Sequence, residues 1–297
     1  MTTTARETPS DASETSAAIL AMCGAMAFFI ISDAFSKLAS ASMPVSQVLT
    51  MRGFYAALMF AVPVIASGSL ALLPKLFSRL WALRIAGEIG AAMTFLAALA
   101  HMPIANVTTI IQTAPLATTA AAAVFLAERV STGQWVATVV GFIGALLIVQ
   151  PGSTAFSWWS IVALVSVAFV ICRDLSTRRM DRAIPSSLIN VSTSGCVALA
   201  GLGLGYVQGG WVSPDLTNHV YLVGSAAGIA LAYHFLIVAI RKAPISTIAP
   251  FRYTVVPMSL LAGWLIWHEI PDLLALAGIV VIASCGLYTF LAHHKRA

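Results

Sequence analysis

The chain has 297 residues, of which 59% are hydrophobic and 9% charged, and it carries a formal net charge of +5. Its mean hydropathy is +0.92, and ordinary soluble domains carry roughly 25% charged residues, so a water-soluble globule is excluded. The four cysteines, Cys23, Cys172, Cys196 and Cys285, lack metal-ligand spacing and read as packing residues.

Residues 1–16 are polar, rich in Thr and Ser, and set Arg6 against Glu7, Asp11 and Glu14. A secretory signal would begin with a positive patch and have a shorter apolar core, so a disordered cytoplasmic tail and a retained first helix are predicted. Ten apolar stretches follow, at about 17–36, 45–67, 81–100, 104–126, 134–150, 157–173, 186–207, 218–240, 245–267 and 272–291. Each is near the roughly 20 residues that cross a bilayer. Only helices satisfy the backbone at that length, which predicts an all-α integral membrane protein. Pro115 and Pro257 fall inside the fourth and ninth stretches, where each removes a backbone hydrogen bond and predicts a kink. The turn Gln150-Pro151-Gly152-Ser153 separates a unit at 17–152 from one at 157–297. Arg178-Arg179-Met180-Asp181-Arg182 is the most charged loop, either a solvated connector or a contact for lipid headgroups. The glycines at 141 and 144, at 201, 203 and 205, and at 224 and 228 predict close helix packing. A monomer is expected, or a weak homodimer through the fifth or tenth span.

The basic residues are placed unevenly. With the N-terminus inside, the even loops, both tails and adjoining helix ends collect thirteen Lys and Arg, and the opposite side holds only Lys37. This positive-inside asymmetry predicts that both termini are cytoplasmic and the odd loops external. It also accounts for the basicity with no nucleic-acid partner.

A constant offset of 141 residues aligns Asp33 with Asp174, Lys37 with Arg178, Pro44 with Pro185, Gly68 with Gly209, Gly87 with Gly228, Pro103 with Pro244 and Glu128 with Glu269. Paired charges, prolines and glycines are rare coincidences, so the chain reads as an internal duplication. Five spans per copy force the second copy into the membrane upside down, giving ten transmembrane helices as two inverted five-helix repeats, an arrangement of carriers.

The stretches "MPIANVTTIIQTAPLATTAAAAVFLAERVSTGQW…GFIGALLIVQPG" and "APISTIAPFRYTVVPMSLLAGWLIWHEIPDLLALAGIVV" close the two units. Together they resemble the EamA-type ten-helix branch of the drug/metabolite transporter superfamily, in which a Pro-initiated span runs to a Glu and a Gly-rich span follows. The resemblance extends over about residues 17–291. It implies a secondary carrier of the bacterial inner membrane, with a central cavity lined by spans one to four and six to nine, and spans five and ten peripheral. Within that family the chain looks most like exporters of amino acids and related metabolites, aromatic ones included. Pro103, Glu128, Pro244 and Glu269 match motif positions; the family's frequent Arg-Pro-Gly is Gln150-Pro151-Gly152 here.

Asp33, Arg52, Glu88, His234 and Arg252 lie within predicted spans, where each charge costs at least roughly 3 kcal/mol on insertion scales. Such groups need a partner or a watery cavity. Arg52 and Arg252 each lie eight residues beyond a proline, Pro44 and Pro244, hence about 12 Å along their helices. Either guanidinium could hold a substrate carboxylate, or Arg52 could form a structural ion pair with Asp33. Glu88 follows Arg84 by four residues, which suits a same-helix pair or, if it faces the cavity, a proton carrier. Asp33 has the same two readings, and His234 could titrate or simply pack. Gln112 and Tyr253 are equivalent under the offset, and Trp264 lies eleven residues after Tyr253 on the same helical face. An amide, a phenol and an indole on one cavity would suit a small zwitterion with an apolar side chain. Glu128 and Glu269 read as helix-end anchors.

No His-rich metal motif, nucleophile elbow or phosphate loop occurs, so neither an enzyme nor a cofactor is expected. The expected partners are a small-molecule substrate and the lipid bilayer. Two alternatives stay open: a multidrug or organic-cation exporter, if Asp33 and Glu88 line the cavity, and a non-transporting scaffold or receptor.

Overall fold

Helices start where the sequence supplies a cap. Ser78 Oγ accepts from the Trp81 N–H, Ser157 Oγ from the Trp159 N–H, and Asp215 Oδ1 from the Asn218 N–H at 2.7 Å. Pro44, Pro103 and Pro185 occupy the same N-cap position at three other helices, where no intrahelical N–H is required. The computed structural model describes residues 9–126, 132–153, 156–181, 184–243 and 245–294. In chain order the helices are α1 (Pro9–Ser40), α2 (Val45–Ala66), α3 (Leu73–Leu76), α4 (Arg79–His101), α5 (Ile104–Ile111), α6 (Ala114–Leu126), α7 (Thr132–Val149), α8 (Trp158–Arg178), α9 (Ser186–Gln208), α10 (Leu216–Lys242), α11 (Ile245–Ile248), α12 (Val255–Trp267) and α13 (Leu273–His294). Two 3₁₀ turns, Ser69–Leu72 and Ala249–Thr254, complete the set, and no strand occurs among the described residues.

The chain is a multi-pass helical membrane protein. Among the described residues, seven helices are long and apolar enough to cross a bilayer: α1 from Glu14, α2, α4, α7, α8, α9 and α10. α1 begins at Pro9.

The fourth and ninth predicted spans are broken rather than merely kinked. α5 ends at Ile111, Gln112 and Thr113 form a turn, and α6 restarts with Pro115 in its first turn, where its missing N–H is tolerated. In the ninth, α11 passes into the 3₁₀ turn Ala249–Thr254, with Pro250 near its start, before α12 takes over at Val255.

Four antiparallel-in-sequence partners dominate the packing: α1 lies on α10, α2 on α9, α4 on α8 and α7 on α13. All four depend on a bare backbone, α2–α9 at Gly53 and Gly201 and α7–α13 at Gly144 and Gly278 among them. A Cβ at Gly228 would stand 3.0 Å from Ser32 N and 3.1 Å from Phe28 O, and one at Gly87 would stand 2.8 Å from Arg173 N and 3.0 Å from Phe169 O. The glycines of α7 are used within the chain, Gly141 against Leu116 and Gly144 against Gly278. The main core runs through α1, α2, α4, α5, α8 and α12, with Met22, Leu49, Leu96, Leu99 and Ile104 among its most enclosed side chains.

Candidate functional site

Six helices bring their polar residues to one region. On the α1–α10 seam Ser36 Oγ and Ser225 Oγ lie 2.8 Å apart, Ser32 Oγ lies 3.1 Å from Ser225 Oγ, and Ser225 donates to the Ser32 carbonyl at 2.9 Å. All three serines are buried. Buried hydroxyls must find partners, and here they find one another. From α2, Arg52 Nη2 reaches Ser32 Oγ at a long 3.4 Å.

Arg52 lies within electrostatic reach of Asp33, Glu88 and Tyr233. Yet neither Arg52 nor Asp33 enters an ion pair among the described residues. The expected Arg52–Asp33 pair is thus a neighbourhood and not a closed contact.

Below them the charges are paired. Glu88 Oε2 is 3.5 Å from Arg173 Nη1 and 3.9 Å from Arg84 Nη1. Arg173 Nε donates to Asp174 Oδ1 at 2.9 Å, and Arg84 Nη1 donates to Thr193 Oγ1 at 2.7 Å. Arg84 Nε is buried with no partner. The Tyr233 phenol couples to Glu88, Arg173, Arg84 and Asp174. Its ring stands edge-on to Phe29 at 5.6 Å and to Phe60 at 5.7 Å. Three arginines (Arg52, Arg84, Arg173) therefore face three carboxylates (Asp33, Glu88, Asp174), so the cluster is charge-balanced.

The structure brings Asp33, Arg52 and Glu88 together and leaves the other sequence candidates elsewhere. His234 is exposed, beside Phe235 at 5.7 Å. Arg252 is exposed, and Trp264 is 53% exposed. The Tyr253 ring packs so closely on Gly286 of α13 that no Cβ would fit there. Gln112 caps the C-terminus of α5, half-buried. The shared face expected for Tyr253 and Trp264 presumed one continuous α-helix, but Tyr253 belongs to the 3₁₀ turn, which winds 3.0 residues per turn. Glu128 and Pro244 lie outside the described residues.

Sequence reasoning missed Arg173, Tyr233 and the three serines as members of this cluster. A signal existed for Tyr233: it lies eight residues after Ser225, two helical turns along the same face. Arg84 was legible only as Glu88's helical neighbour. A separate apolar groove of ≈ 360 Å³ between α4 and α8, lined by Leu80, Leu83, Ile171 and Leu175, contains none of the six clustered charges.

One residue past Ser36, near the C-terminal end of α1, Lys37 Nζ donates to Glu269 Oε1 at 2.5 Å and to the Met102 carbonyl at 2.7 Å. Glu269 Oε2 accepts the Ile104 N–H at 3.0 Å, so the predicted helix-end anchor also joins an ion pair.

Charged groups converging inside a membrane bundle mark a path for a polar solute. Residues 16–150 match the EamA-like transporter family. The first half of the chain is thus similar to EamA-like transporters. Among its relatives, a riboflavin transporter of Rhizobium johnstonii is 28% identical over 204 residues, 68% of this chain and 67% of the relative. The pseudopaline exporter CntI of Pseudomonas aeruginosa is 27% identical over 282 residues, 91% of this chain and 94% of its own. An S-adenosylmethionine uptake transporter of Rickettsia conorii is 26% identical over 196 residues, 65% of each chain. A solved crystal structure with 15% identity superposes with a TM-score of 0.67 over 95% of this chain and 99% of that one, a likeness of fold. The family and these relatives are transporters and not enzymes, which agrees with the sequence reading. The EamA-like resemblance thus holds, and small-metabolite transport with it.

Proposed function

We propose that this transporter exports small zwitterionic metabolites, foremost amino acids with aromatic or other apolar side chains, across the bacterial inner membrane. Export proceeds by alternating access, with units 17–152 and 157–297 rocking as inverted five-helix repeats and both termini cytoplasmic. The observation that carries the substrate class is the charge-balanced cluster in which Arg52 and Asp33 face each other without closing an ion pair. A net-neutral site binds a net-neutral zwitterion without burying an uncompensated charge. Arg52 takes the carboxylate through its planar fork, Asp33 the ammonium, and Phe29, Phe60 and Tyr233 wall the side chain. Arg252, Tyr253 and Trp264 have no part in this reading.

The repeat reading is supported by the helix pairings. Under the 141-residue shift α1 becomes α8 and α4 becomes α10, so the α1–α10 and α4–α8 pairs exchange, and α2–α9 and α7–α13 map onto themselves. Gly87 against Arg173 and Phe169 is the shifted image of Gly228 against Ser32 and Phe28. The break at Gln112–Thr113 matches the one at Tyr253–Thr254, and Gly68 and Gly209 both end their helices at positive φ, 66° and 67°.

An organic-cation exporter is the runner-up, since Asp33 and Glu88 are both in the cluster. The three arginines weigh against it, because a cation would add to a site whose carboxylates are already matched. The test is a metabolite-efflux screen in cells that express the chain and are loaded with dipeptides. Faster release of amino acids than from cells with an empty vector supports the reading; release of cationic dyes alone supports the runner-up.

A further inference from the structure

The Lys37–Glu269 pair occupies the end of α1 that the basic asymmetry assigns to the external face, and it joins elements 232 residues apart in the chain. Lys37 is 8% exposed. Its ammonium has three partners at two helix ends: the Met102 carbonyl at the end of α4, and, at the end of α12, the Glu269 carboxylate and the Trp267 ring, whose centroid is 4.7 Å away. Glu269 in turn takes the first N–H of α5. One ion pair therefore ties the first unit to the second across this end of the bundle. Toward the opposite end the side-chain exposures of the clustered charges run from 9% at Arg84 and 21% at Glu88 to 39% at Asp174.

A permanent strut has no need of a buried ion pair, because apolar packing of similar volume holds as well. An ion pair differs in what happens on separation. Each partner regains water, so the joint opens without exposing apolar surface and both states stay accessible. We propose that Lys37 and Glu269 are the outer gate of the transport cycle, closed in this conformation and parted when substrate leaves to the outside. The proposal rests on the alternating-access reading above.

The experiment uses the full chain with Cys23, Cys172, Cys196 and Cys285 replaced by serine. Lys37→Cys with Glu269→Cys is bridged in membrane vesicles by a short bis-methanethiosulfonate reagent. Efflux should fall at least about tenfold while the bridge is present and return on reduction, since a carrier held in one state cannot cycle. Flux within about twofold of the unbridged protein overturns the gate, because a static contact can be tied without consequence. A second readout needs no substrate. Ser36→Cys, one residue below Lys37, should react slowly with a membrane-impermeant thiol reagent from outside, and at least about tenfold faster once Glu269→Gln removes the pair. Equal rates in the two proteins overturn the proposal. A wild-type protein that moves no amino acid refutes the substrate reading, and the labelling rates still decide the gate.

Discussion

Arg52→Ala separates a carboxylate anchor from a structural cation. The guanidinium has one long hydrogen bond, 3.4 Å to Ser32 Oγ, so the folded protein gives up little direct bonding when it is removed. A bound carboxylate would lose a charge-assisted hydrogen bond of about 1.5–3 kcal/mol. At 1.4 kcal/mol per factor of ten, affinity falls roughly 10- to 150-fold. The same change strips Asp33 of its neighbouring cation, while Glu88 and Asp174 keep Arg84 and Arg173. Because truncating one partner of a buried pair can cost about 3–5 kcal/mol of stability, Arg52→Ala with Asp33→Asn serves as the balanced control. Uptake into inverted vesicles is measured for an amino acid, its decarboxylated amine and its N-acetyl derivative. Arg52→Ala should lose the amino acid and the N-acetyl compound and retain the amine; Asp33→Asn should show the reverse preference. Arg52→Ala protein that inserts at wild-type levels and handles all three compounds normally would refute the assignment. So would that pattern of losses in Arg252→Ala, which is expected to transport normally.

Reporter fusions should place Gly68 and Ala297 in the cytoplasm and Gly210 outside; an external C-terminus would contradict the inverted-repeat reading. Gly228→Val should lower stability in detergent by about 1–3 kcal/mol through overpacking against α1, whereas Gly203→Ala, with nothing within 4 Å of its added Cβ, should be neutral or stabilising. Equal effects at the two positions would mean that the α1–α10 approach is looser than described. Asp272, in the loop before α13, accepts from the Ala275 N–H and from Gln150 Nε2, and these bonds hold its carboxyl below the usual range. A depressed folded-state value means the stabilisation is present above the unfolded value, near about 4, and is lost as pH falls through the folded one. Asp272→Ala should therefore melt below wild type at pH 7, with the gap narrowing under acid; a gap independent of pH would rule out the ionised carboxylate as its source.

Membrane residence and helical class were readable in the sequence because insertion free energy accumulates residue by residue along the chain. The same local reasoning found Asp33, Arg52 and Glu88, whose cost in a bilayer does not depend on what surrounds the helix. Depth along a helix was likewise accessible, but direction around it was not. Arg52 and Arg252 stand the same number of residues from their prolines, yet one joins the cluster and the other is exposed, because a 3₁₀ turn and different neighbours set the azimuth of Arg252. His234 and Tyr233 are adjacent in sequence, and only the packing of α10 on α1 turns Tyr233 inward.

The sequence by itself determined that this is an apolar, all-helical, multi-pass membrane chain and which residues are costly in a bilayer. The tertiary structure decided which costly residues meet. Arg173 meets Glu88 where the bare backbone of Gly87 lets α4 and α8 approach, and Ser225 meets Ser32 where that of Gly228 lets α10 approach α1, and pairing at that range has no local signature for a sequence to carry.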